Sequence, residues 1–280
     1  MTNTAIPAGY KQTEVGIIPE DWSVHNLGSL VYGVEYGSSA KSKESGKIPV
    51  LRMGNIQDGK VDYSDLVFTD DDSEIKKHLL KFNDVLFNRT NTVDLVGKTA
   101  IFKSKMPAIF AGYLIRINVN NNLLDSDYLN YWLNARVAKN YSQLVLSVAV
   151  GQANINGVKL KTYPVALPQT VEEQTAIATV LSDVDALITS LNAQIAKKRD
   201  IKTAAMQQLL TGKQRLAGFE GDWEWKKFND VVYGFSSGST PYRQVSNFYN
   251  NTSDSLRSDS TIITEVCEGL AGFYGTEVEF

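Results

Sequence analysis

TVEEQTAIATVLSDVDALITSLNAQIAKKRDIKTAAMQQLLTG, residues 170–212, reads as one uninterrupted helix, and the rest of the chain is organised around it. Thr170 and Glu173 have the spacing of a capping box, in which a hydroxyl accepts the N3 amide and the glutamate reaches back. Pro168 keeps the chain extended just before it, and Thr211-Gly212 supplies the stop. Ile177, Val184 and Leu191 lie seven apart, as do Leu181, Ile188 and Ile195. That is the a/d seam of a coiled coil over nearly three heptads. Beyond Lys198 the stripe shifts to Ile201, Ala205 and Leu209, the drift of a straight helix against a 3.5-residue period. Glu172 and Glu173 at the start, and Lys197, Lys198, Arg199 and Lys202 further on, suit the helix dipole. About 40 residues rising about 1.5 Å each give a rod of about 60 Å. A rod cannot bury its stripe against itself, so the expected cover is another helix or another chain, with the flanking domain as the alternative.

Two copies of one segment bracket the rod: DWSVHNLGSLVYGVEYGSS at 21–39 and DWEWKKFNDVVYGFSSGST at 222–240, 201 residues apart. Asp21-Trp22 answers Asp222-Trp223, Val31-Tyr32-Gly33 answers Val232-Tyr233-Gly234, and Gly37-Ser38 answers Gly238-Ser239. Solenoid periods run about 20–50 residues, so this is a duplicated domain. The expected fold class is α+β. A first domain of mixed α/β elements spans 1–168, the coiled-coil helix spans 169–212, and the beginning of a second domain spans 213–280.

One cysteine, Cys267, excludes an internal disulfide framework and suits a reducing compartment. No unbroken apolar run reaches the ~20 residues of a membrane span, and MTNTAIPAGYKQTE lacks the apolar stretch of a secretory signal. The expectation is a cytoplasmic protein with no membrane contact. The formal net charge of −3 hides a basic stretch: residues 76–116 carry eight Lys and Arg against two acids. A local basic field is what phosphate contact requires, whatever the overall balance. Asp70, Asp71, Asp72 and Glu74 form an acidic turn just upstream, expected to point away from any polyanion.

In the first domain, Val24–Leu30 and Lys47–Arg52 read as extended. Phe82–Asn88 and Thr99–Phe102 look like strands around a turn, and Ala108–Val119 like another pair. Asp125 caps a helix from about Tyr128 to Leu146; Gly151–Asn156 reads as a polar turn, and Val158–Leu167 as a returning strand. Arg52, Asn55, Gln57, Arg89, Asn91, Gln152, Asn154 and Asn156 have the donor and acceptor types that read base edges, Arg suiting guanine and Asn or Gln suiting adenine. Each also has an ordinary use in turns or as a solvated side chain. Lys41, Lys43, Lys98 and Lys103 are the candidate phosphate contacts.

Catalysis finds no foothold. Thr92–Thr99 (TVDLVGKT) ends like a phosphate loop but lacks its first glycine. Glu74 and Lys76 are the only short nuclease-like pair, and His25, His78 and Cys267 are too scattered for a ligand set. No catalytic residue, metal site or resident cofactor is expected.

GIIPEDWSVHNLGSL (16–30), VALPQTVEEQTAIATVLSDVDALI (165–188) and MQQLLTGKQRL with GFEGDWEWKKF (206–228) together resemble the DNA-specificity (S) subunit of type I restriction-modification enzymes. The Pro-x-x-x-Glu-Gln start and Leu-Leu-Thr-Gly end of the helix are the most specific parts. The resemblance implies a target-recognition domain at 1–168, a conserved spacer helix at 169–212, and the start of a second target-recognition domain. It implies double-stranded DNA as ligand, methyltransferase (M) subunits docked alongside, and restriction/motor (R) subunits joined through the complex. S-adenosylmethionine, ATP and magnesium would belong to those partners. In such subunits two spacer helices pair antiparallel. The second half is short here, so the expectation is a half-subunit whose spacer pairs with the same helix of a second chain; the alternative is a decoy that binds methyltransferase without reading a site.

Overall fold

Val85–Asn88 (VLFN) is buried along its whole length, as a strand at the centre of a sheet covered on both faces must be. In the computed structural model, which describes residues 6–149 and 151–232, this strand lies between Leu114–Val119 and Thr99–Ile101, antiparallel to both. Val31–Tyr36 pairs outside Leu114–Val119, while Gly59–Val61 and then Ile56–Gln57 extend the other side, making six strands. The alternation of side chains divides the core. Val85, Phe87, Ile115 and Ile117 pack with Leu27, Leu30, Leu129, Leu133 and Tyr163 on one face. Leu86, Ala100 and Leu114 pack with Leu51, Ile56, Phe102 and Phe110 on the other. Over this second face lies a sheet of three strands, Ile109–Phe110, Ile48–Leu51 and Val67–Thr69.

Several expectations are corrected. Val24–Leu30 is a strand only over Ser23–Asn26; Leu27–Leu30 is one helical turn that buries both leucines. The two strands of Ala108–Val119 belong to different sheets. The helix from Asp125 breaks at Ala135 (φ −69°, ψ 156°) into Ser126–Asn134 and Arg136–Val145. Gly151–Asn156 contains a strand, Gln152–Asn154, paired on both sides by Thr90–Asn91 and Ser147–Ala149. Val158–Leu167 is divided between a short helix, Gly157–Leu160, capped by Asn156, and a strand, Pro164–Leu167. That strand pairs antiparallel with Ser23–Asn26 and so closes the first repeat segment against the end of the domain. Gly238-Ser239, Cys267 and everything else expected of 233–280 lie outside the described residues.

The long helix is continuous from Val171 to Leu209. The Glu173 amide donates to Thr170 Oγ1 at 3.2 Å, one half of the expected capping box, and Gly212 takes φ +69° just past the end. Residues 1–188 form one compact unit. Within it, Gln174 and Ala178 are buried, and Ile177 packs against the domain's own core. The seam expected to start at Ile177 is therefore covered at its first position by the domain, because that side chain projects back over the preceding turn. Leu181, Val184, Ile188, Leu191 and Ile195 are 40–51% exposed.

Candidate nucleic-acid interface

Arg89 follows the central strand, and the next two residues leave the main sheet for a small one. Thr90 pairs with Asn154, and Asn91 with Ala153. This change of sheet brings Arg89 beside Asn154, with Gln152 on the same face of the small sheet; Asn91, paired with buried Ala153, lies on the other face and accepts the Thr92 amide. The Arg89 guanidinium lies 5.0 Å from the centre of the Tyr36 ring. Its Nη1 donates to the Gly112 carbonyl at 3.3 Å and its Nη2 to Asn154 Oδ1 at 3.5 Å. Asn154 Nδ2 in turn donates to Thr90 Oγ1 at 2.8 Å. Tyr36 is held from behind, its hydroxyl accepting the Gly157 amide at 2.8 Å. A planar cation stacked on a ring and carried between two weak hydrogen bonds is pre-organised, with little rotamer freedom left to lose. Arg89 Nε is buried with no hydrogen-bond partner.

Tyr113 is half exposed beside this group, and its carbonyl accepts the Arg89 amide at 3.0 Å. Gly112 also donates its amide to the Ser38 carbonyl, and exposed Lys41 follows three residues on. Lys159 reaches Ser147 Oγ at 2.6 Å across the small sheet. Tyr36, Tyr113 and Lys159 escaped the sequence reading, since nothing local ties Tyr36 to an arginine 53 residues away.

The remaining candidates are elsewhere or committed. Asn55 is corrected: it is 3% exposed, accepts the Arg52 amide, and donates to the carbonyls of Asp62 and Asp65. Its amide braces a turn and has nothing left for a base. Arg52 is ion-paired to Asp65 at 2.9 Å, and Lys43 to Asp70 at 3.0 Å. Gln57 Oε1 accepts from Lys98 at 2.8 Å. Lys103 is shared by Asp127 and Asn83.

The basic stretch 76–116 therefore does not present one face. Arg116 is buried between Glu35 and Asp84. Those two carboxyls respond in opposite senses. Burial opposes ionisation of Glu35, but the hydrogen bonds from Arg116 and Asn118 outweigh it and hold its pKa down. Asp84 is deeper, so burial prevails over the Lys81 amide and Arg116 and raises it. Lys139, which donates to the Gly97 carbonyl at 2.8 Å, is lowered to about 8 by burial and by neighbouring Lys98. Among the described residues no group of three or more His, Cys, Asp or Glu is placed to hold a metal ion.

The family described as the type I restriction modification DNA specificity domain matches residues 19–198. The chain belongs to this family. It is 32% identical over 84% of its length to a protein provisionally named the MjaX type I restriction enzyme specificity subunit, from Methanocaldococcus jannaschii, covering 59% of that protein. It is 25% identical over 79% of its length to the EcoKI specificity subunit of Escherichia coli, covering 48% of it. The chain thus spans about half the length of the curated relatives it matches. A chain in a structure of a type I R-M system, solved for complex assembly and conformational transition, superposes with a TM-score of 0.51 at 18% identity. That match covers 68% of this chain and 46% of the other, a likeness of fold. The mixed α/β fold with its long helix is the fold of this specificity-domain family.

Proposed function

We propose that this chain is a non-catalytic DNA reader of a type I restriction-modification complex, and that it contacts one half-site through the edge built around Arg89. The observation that carries the reading is the meeting of Arg89 and Asn154 at the small sheet, with Gln152 on the same face and Tyr36 fixing the guanidinium. Bidentate Arg–guanine and Asn–adenine pairs are the commonest base-edge contacts. Lys41 and Lys159 flank the group as phosphate contacts, which position the reader without specifying sequence. Methyltransferase and motor subunits, with S-adenosylmethionine, ATP and magnesium, would supply the chemistry.

Replacing Arg89 by Ala should cost about 1–3 kcal/mol at one base position and relax preference there. Competition binding with a randomised duplex library measures this; equal weakening of every sequence would reduce Arg89 to a phosphate contact. Binding should also fall steeply with salt.

For the exposed seam from Leu181 to Ile195, we infer a helix of matching pattern, such as the same helix of a second chain. Two identical readers related by a two-fold axis would read a palindromic site. Sedimentation of the purified chain checks this, and a monomer at all concentrations rejects it. By length and composition Val171–Leu209 is apolar enough to cross a membrane. We read it instead as a water-exposed rod, because Asp183 and Asp185 interrupt its most apolar stretch and charges there are costly in hydrocarbon.

A further inference from the structure

Beyond Ile177, the first four turns of the long helix touch the recognition domain along a line beside the seam. Gln174 is buried with its amide spent at both ends: Nε2 donates to the Leu123 carbonyl at 3.2 Å, and Oε1 accepts the Asp125 amide at 2.9 Å. Ala178 is buried one turn on. Two turns further, Asp185 Oδ2 accepts the Tyr131 hydroxyl at 3.1 Å and lies 3.6 Å from Lys60 Nζ. At about 100° per residue, Gln174, Ala178 and Asp185 fall within about 40° of one another. Ile177, Leu181, Val184 and Ile188 centre about 70–80° away on the helix surface. Between Ala178 and Asp185 the helix bridges a cleft of about 660 Å³ lined on the domain side by Gly59, Asn130 and Asn134. Lys60, Tyr131 and Asp185 line the same cleft, so the Asp185 contacts span it as a strut.

We propose that Asp185, gripped by Tyr131 and Lys60, is a positioning residue. It fixes the setting of the helix, up to Asp185, against the recognition domain, and so the line along which the seam leaves it. Gln174, Ile177 and Ala178 hold the helix near its start; a contact two turns further along the same line is needed to stop the helix swinging about that pivot. Burial and the Asp185 carboxylate both push the Tyr131 hydroxyl up, so it stays a donor throughout the neutral range. That this setting fixes the gap between two DNA half-sites rests on the function proposed above; the setting itself does not.

The test uses the full chain with Cys267→Ser and spin labels attached at Asn140→Cys and Ala186→Cys, both exposed positions on helices. Electron–electron double resonance should give one narrow distance distribution in the parent. Tyr131→Phe should broaden it, Tyr131→Phe with Asp185→Ala should broaden it further, and Asp185→Glu should restore the narrow form. Urea unfolding and circular dichroism confirm that the single and double variants are folded. An equally narrow distribution in the folded double variant, or a broad one in the parent, overturns the proposal. In cells carrying the methyltransferase, sequencing of methylated sites should show that Tyr131→Phe admits gaps one base pair longer or shorter while keeping both half-sites. If the parent directs no sequence-selective methylation, the reading function fails, while the distance result still decides the positioning role.

Discussion

Residues 21–31 and 222–232 are copies in sequence, share the backbone of one turn, and are opposites in burial. Asn26 (φ −69°, ψ 136°) starts the turn of helix Leu27–Leu30, and Lys227 (φ −68°, ψ 142°) starts Phe228–Val231, 201 residues on and in register. Both turns end in extended valines, Val31 and Val232. Yet Leu30 is 4% exposed and Val231 is 54%, while Trp225, which answers half-buried Val24, is wholly exposed. The local sequence suffices to set the turn; burial depends on elements far along the chain. In the first copy the cover comes from Pro164–Leu167, paired to Ser23–Asn26, and from the helix Ser126–Asn134, whose Trp132 donates to the Pro164 carbonyl at 2.9 Å. In the second, Trp223 lies against Gly212 and under the Arg215 guanidinium at 5.4 Å.

The largest effect that could break this comparison is Leu30→Ala. Truncating a buried leucine costs about 2–5 kcal/mol, read as a shift in the urea midpoint of the recognition domain; a cost below that range would mean the turn is no better packed than its counterpart. Next comes Gly37→Ala, in the stretch the two copies share as Gly-Ser. A Cβ at Gly37 would sit 2.3 Å from the Phe110 carbonyl oxygen and 2.4 Å from that of Ala111. Backbone on both sides cannot yield, so about 1–3 kcal/mol is expected. A neutral Gly37→Ala would show that the bridge between Ser38 and Ala111 is loose.

The helix was legible because its signals are local: a cap, a period and a stop within one stretch. The match of the second copy to the first extends, among the described residues, to a helical turn in the same register. The Asp125 cap is a local side-chain signal, and the strands around Val85–Asn88 and Ile48–Leu51 follow from short apolar runs bounded by turn residues. What sequence concealed is pairing at a distance. Arg89 meets Asn154 across 65 positions, and Arg116 meets Glu35 across 81, which takes the last base of the 76–116 stretch into a buried ion pair. Asn55 was misread because an asparagine that braces a turn and one that reads adenine share the same amide. The polar turn at 151–156 proved a strand because Thr90–Asn91 supplies its ladder, and nothing in GQANIN announces a partner 60 residues upstream.

A smaller effect sharpens the contrast through pH. His78 is buried edge-on against Phe110 at 5.7 Å, with Glu74 Oε2 3.6 Å away. Burial lowers its pKa below the usual 6.5, aided by Lys77 and Arg116 and opposed by Glu74 and Glu35. The unfolded chain therefore binds a proton first as the medium becomes acidic. This contribution to stability is complete above about pH 6.5 and is lost as pH falls through the lower folded value. Urea midpoints at pH 7.5 and 5.5 should differ in the parent and differ less in His78→Gln; equal slopes would place the imidazole in contact with water. Residues 213–232 contain no histidine and should show no such dependence in hydrogen exchange.

The smallest effect is expected where the second copy repeats the first substitution. Val231→Ala removes two methyl groups from a side chain that is already half in water, so the transfer and cavity terms that dominate Leu30→Ala are largely absent. Surface substitutions of this kind stay within about 0.5 kcal/mol. The same urea experiment applied to both variants forms a matched pair at one structural position, so the ratio of the two shifts isolates what long-range cover adds to an identical turn. A Val231→Ala shift as large as that of Leu30→Ala would mean the second turn is packed as tightly as the first. The difference between the copies would then vanish.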